Sequence, residues 1–68
     1  MTAYIGPMNL QAAIIKAVEQ EDRCVSIAAA IRRVRQAIKT DLPDVDLQTE
    51  IASAAAERGK GILFDLKP

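Results

Sequence analysis

Apolar residues recur through the middle of this chain at intervals of three and four, the spacing that stacks side chains on one face of an α-helix. The clearest stretch holds Ile27, Ile31, Val34 and Ile38 at 4-3-4 spacing, with Ala30 and Ala37 beside them. It predicts an amphipathic helix over about residues 24–39. Asp22 or Ser26 can cap its start. Thr40-Asp41-Leu42-Pro43 ends it, because proline disfavours helical backbone in the residue before it. An earlier stripe of Leu10, Ala13, Ile14, Ala17 and Val18 predicts a first helix over about residues 8–21. That helix starts after Gly6-Pro7 or at Asn9, a good N-cap. A later stripe of Leu47, Ile51, Ala54 and Ala55 predicts a third helix over about residues 45–58. Asp44 or Asp46 caps it, and Gly59 suits a left-handed stop.

The period changes after Gly61. Ile62-Leu63-Phe64 reads as extended chain, within a segment over residues 61–66, and Thr2-Ala3-Tyr4-Ile5 has the same character. The two ends are candidates to pair as a minimal β-ribbon, although an isolated two-stranded pair is marginal. The expected fold is a mainly α single domain over residues 1–68: three helices with short extended N- and C-terminal segments. Gly59-Lys-Gly-Ile-Leu-Phe-Asp65 is distinctive, and reads as a helix stop followed by a covering strand.

Composition makes this core thin. Sixty-eight residues make one domain at most, and a domain of that size buries only about 60% of its unfolded surface. Twelve of the 34 apolar residues are alanine, and Tyr4 and Phe64 are the only aromatics. One cysteine excludes an internal disulfide, and one thiol without histidine argues against structural zinc. Self-association or binding to another protein is then the remaining source of burial. The zero net charge offers little resistance to it. No apolar run approaches the roughly 20 residues that span a bilayer, and Met1 to Met8 has no basic leader pattern. A soluble cytoplasmic protein without membrane contact is the expectation, and an unpaired Cys24 agrees with a reducing compartment.

The charges are sorted. Arg23, Arg32, Arg33, Arg35 and Lys39 share a stretch without acids, and Asp41, Asp44, Asp46, Glu50 and Glu57 share the next, without bases. On a helical wheel Arg32, Arg35 and Lys39 form one solvent-facing strip of the second helix, and Arg33 lies on the far side. Like charges at these spacings repel by roughly 0.2–0.5 kcal/mol a pair. The strip is therefore a candidate contact for a partner or for nucleic acid, with the second helix as reader in a helix-turn-helix-like arrangement. Three facts weigh against nucleic acid. The amino-terminal end of that helix offers almost no base-contacting groups, the net charge is zero, and no aromatics interleave the cations. The fold itself offers another account. Cations suit the carboxyl end of the second helix, and Asp44, Asp46 and Glu50 suit the amino end of the third. Antiparallel packing of the two would bring these blocks together. Glu19 and Glu21 break the rule, since they sit at the negative end of the first helix. Arg23 or a partner is their expected counter-charge.

Catalysis finds little support. No histidine is present to act near neutral pH, so Ser26 and Ser53 have no imidazole partner. Glu19, Glu21 and Asp22, like Asp41, Asp44 and Asp46, lie in polar stretches where solvation keeps carboxylates ionised. Asp41 to Asp46 lacks the glycine and bidentate glutamate of a calcium loop. Cys24 beside Arg23 near a helix start has some thiolate character, but without a resolving cysteine it reads as a small buried apolar residue. No cofactor, metal or catalytic residue is expected. Alanines supply the last signal. Ala28, Ala29, Ala52, Ala55 and Ala56 leave small side chains on more than one helix face, which suits a helix–helix interface as well as it suits helix propensity. The expected function is a small non-enzymatic interaction or regulatory protein, self-associating or binding a protein partner, with a nucleic-acid-binding regulator as the alternative.

Overall fold

A computed structural model of the chain describes residues 9–66. Three helices and two short strands follow one another as α1 (Leu10–Gln20), β1 (Cys24–Ser26), α2 (Ile27–Ala37), α3 (Asp44–Glu57) and β2 (Gly61–Leu63). The fold is a small mainly α domain with a two-stranded parallel sheet. The three apolar stripes meet in one core of Ala13, Ile14, Ala17, Val18, Ile27, Ala30, Ile31, Val34, Leu47, Ile51, Ala54 and Ala55, joined by Val25 from β1. Leu10, Ile38, Leu42, Ile62 and Leu66 pack against its edge. Ala37, expected beside the apolar face of α2, is exposed.

Two helix starts follow from side-chain oxygens. Asn9 accepts the Ala12 amide at 2.8 Å, and Ser26 accepts the Ala29 amide at 3.2 Å. The third differs from expectation. Pro43, rather than Asp44 or Asp46, is the N-cap of α3, and no side chain caps it. Both aspartates fall inside the first turn instead, where their charge still favours the helix dipole. The stop of α3 is the predicted one. Gly59 has φ +70°. Its amide donates to Ala56 at 3.0 Å and the Lys60 amide donates to Ala55 at 3.0 Å, the paired bonds of a Schellman turn.

Residues 24–26, expected in the second helix, are a strand. Val25 is fully buried, and Cys24, Val25 and Ser26 stand opposite Gly61, Ile62 and Leu63. Helix α2 therefore begins later than expected, at Ile27, and ends at Ala37. The tail pairs with this mid-chain strand. Its expected pairing with Thr2 to Ile5 lies outside the described residues, as do Gly6-Pro7 and Met8 of the expected first-helix start. No helix of the described residues is long and apolar enough to cross a membrane.

Candidate functional site

The sequence singled out helix α2, and the structure accounts for most of its charge. Arg35 donates to Asp44 at 2.5 Å and to the Leu42 carbonyl at 2.9 Å. One guanidinium thus ties the end of α2 to the start of α3 across the Thr40–Pro43 break, as the fold-based account of the charges expects. Arg33 pairs with Glu21, and Arg58 lies 3.8 Å from Glu19. The two acids at the carboxyl end of α1 are thus held by Arg33 and Arg58, and not by Arg23. Arg32 and Lys39 are exposed and make no ion pair among the described residues.

The segment without an assigned role turns out to join two helix ends. Helix α1 has no basic residue in its last turn. Lys60, about 40 positions later, extends its ammonium to the carbonyls of Val18 at 2.9 Å and Glu21 at 2.6 Å. Helix α2 has no acid in its first turn. Asp65 supplies one from the tail: it accepts the Ser26 hydroxyl at 2.6 Å and the Ala28 amide at 2.8 Å. Glu21 accepts the Ser26 amide at 3.1 Å. Three amides at the start of α2, those of Ser26, Ala28 and Ala29, are thereby satisfied by three different side chains. The Ser26 hydroxyl first, then the Ala28 amide, and more weakly the charge of Arg32, hold the Asp65 carboxyl below its ordinary pKa.

Between these two anchors runs β2. Gly61 donates its amide to Arg23 at 2.8 Å, and Ile62 packs on the core. The next two side chains point away from it: Leu63 is 53% exposed and Phe64 is 61% exposed. Cys24, expected to be buried, is exposed, because Val25 takes the inward position of β1 and the neighbours on a strand face the other way.

The alanines divide. Ala55 is fully buried in the intramolecular core, so its small volume serves the packing of α3 and it offers no outer surface. Ala28, Ala29 and Ala52 are half-buried and Ala56 is exposed. A shallow cleft of about 280 Å³ separates α1 from α2. Ala13 and Ala17 line it, with Lys16, Arg33 and Gln36 around them. Its guanidinium is already engaged by Glu21.

Sequence reasoning missed Lys60, Asp65 and Glu21 as cap residues and Leu63 and Phe64 as a surface. A lone aspartate after an apolar run was the available signal, but its target lies 37 positions away. Comparison of the chain with protein-family models, curated proteins and solved structures gives no match.

Proposed function

We propose that this chain is a small non-enzymatic interaction protein that docks a polypeptide, itself or another, at the outer edge of β2. The observation that carries this reading is the adjacent exposure of Leu63, the last residue of β2, and Phe64 just past it. Single exposed apolar residues are ordinary, but two large ones beside a strand edge that no other strand covers among the described residues suit strand addition. The rest of the segment is anchored by Lys60 and Asp65, so the edge is held in place before any partner arrives. Asp65, held in its ionised form, suits a cap and not acid–base work near neutrality.

The nucleic-acid reading is weaker. It rests on Arg32 and Lys39 alone, since Arg35 and Arg33 are engaged by acids of the same chain. Lys39 lies past the end of α2 at Ala37, where Ile38 is already extended, so the expected strip does not reach it; two separate cations grip few phosphates, and the exposed Asp46 and Glu50 of α3 add opposing charge to the domain.

A displayed library of random extended peptides, selected against the wild type and against Leu63→Asp/Phe64→Asp, tests the reading. Ligands retained by the wild type and lost by the double variant support it. Failure to find either a peptide ligand or self-association overturns it.

A further inference from the structure

We infer that the polypeptide docked beside Phe64 carries a carboxylate next to its apolar side chains, and that the guanidinium of Arg32 receives it. The inference rests on the docking reading above and names the chemistry of the partner.

Phe64 is displayed on a fixed turn. The Asp65 amide donates to the Leu63 carbonyl at 3.0 Å, which closes a tight turn with Phe64 at its tip. The chain is held on both sides of it. Ile62 and Leu66 pack on the core, and Asp65 is bonded to Ser26 and Ala28. An exposed ring on a backbone held in this way loses little freedom on binding, which is what an anchor residue requires.

The surface continues from this turn onto α2. Leu63 stands opposite Ser26 in the parallel pair, so the two side chains share a face of the sheet. Asp65 joins the Ser26 hydroxyl to the Ala28 amide. Arg32 lies one helical turn beyond Ala28 on the same face, about 6 Å along the axis. Helical side chains lean toward the amino end, which brings the guanidinium back over that turn. Its charge is felt at Asp65, where it helps to hold the carboxyl ionised. The surface thus runs from Leu63 and Phe64, past the Asp65 carboxylate, to Arg32.

One charge on that surface is uncommitted. Both Asp65 oxygens already accept hydrogen bonds, one from Ser26 and one from Ala28. Arg33 and Arg35, the other cations of α2, are closed by Glu21 and Asp44. Arg32 is exposed and pairs with no acid among the described residues. It stands beside two large apolar side chains that are themselves exposed. A guanidinium takes carboxylates through a rigid fork of N–H donors. An acid completes this surface, and the apolar pair beside it selects a polypeptide as the bearer of that acid.

The probe is a displayed library of random extended peptides. Those recovered on the wild type are expected to carry Asp or Glu beside Leu, Ile or Phe. For one such peptide, replacing the acid by Gln should weaken binding to the wild type about two- to fivefold, the range of an exposed ion pair. The same replacement should leave binding to Arg32→Gln unchanged. Arg32→Lys should keep the acidic preference, and Arg32→Glu should invert it toward Lys and Arg. Lys16→Gln, which removes an exposed cation from the cleft between α1 and α2, should behave as the wild type. Arg32 is exposed, so its variants should unfold near the wild-type urea midpoint. Ligands without an acidic preference, or an acid whose loss costs Arg32→Gln as much as it costs the wild type, overturn the inference and leave the docking reading standing. A dimer that Phe64→Asp dissolves, with no peptide bound, makes the occupant a second copy and overturns it as well. Neither peptide nor dimer removes both readings.

Discussion

At the scale of single residues, the carboxylate of Asp65 does what a local acid would normally do for a helix. It meets the Ala28 amide and the Ser26 hydroxyl from the far end of the chain, while Ser26 turns its own oxygen to the Ala29 amide. The hydroxyl is therefore donor to one group and acceptor from another, and neither bond is independent of it. Ser26→Ala should cost about 1 kcal/mol as a lost N-cap, with a further loss because Asp65 then lacks its shortest partner. Combined with Asp65→Asn, the loss in urea denaturation should fall short of the sum of the single losses, since both variants remove the same bond. Linkage fixes the pH dependence. A carboxyl held low in the folded state stabilises fully above its unfolded value near pH 4 and loses that contribution as pH falls through the folded value. Wild-type stability should therefore fall below about pH 4 more steeply than that of Asp65→Asn. Parallel curves for the two would remove Asp65 from this role.

Among the elements, those with a period were legible and those without one were not. Each predicted helix survives with its ends moved by a few residues, and the buried faces of α1 and α3 are the predicted stripes. Strand β1 was missed because three residues carry no period and Ser26 also fits a helix start. The partners of the helix ends were missed for a related reason. Propensity and dipole rules look within one turn, whereas Lys60 reaches α1 from the opposite end of the chain. The charge strip was half legible: Arg32 and Arg35 are exposed on α2 as the spacing predicts, but Lys39 falls past the helix end at Ala37, and only the Thr40–Pro43 turn decides that Arg35 closes on Asp44. The element most dependent on a distant group is the carboxyl end of α1. Replacing Lys60 by Met keeps the aliphatic stem and removes the ammonium from two carbonyls. This should cost about 1–2 kcal/mol in urea denaturation. Hydrogen exchange should rise first at the last turn of α1, and a uniform rise across all three helices would contradict the capping assignment.

For the whole molecule, the tail decides whether three short helices remain one cooperative unit. A 68-residue domain has a net stability of about 3–10 kcal/mol. Helices of eleven, eleven and fourteen residues are marginal in isolation, and alanine fills part of the core where larger side chains would add burial. The tail adds Ile62 and Leu66 to the edge of that core, about 2–4 kcal/mol for the two together if half to fully buried. It also supplies the ammonium at the end of α1 and the carboxylate at the start of α2. Those contributions are comparable with the whole net stability, so a chain ending at Gly59 should lose its cooperative transition at 25 °C, not merely unfold at lower urea. Far-UV circular dichroism should show residual helix with a broad, shallow urea dependence, and amide signals should lose dispersion. The effect should exceed that of Lys60→Met and Asp65→Asn combined, because truncation also uncovers Val25. A truncated chain that keeps a sharp transition at the full-length midpoint would show that the helices hold one another without the tail. The segment from Lys60 to Leu66 would then be an appendage to the core and not its closure.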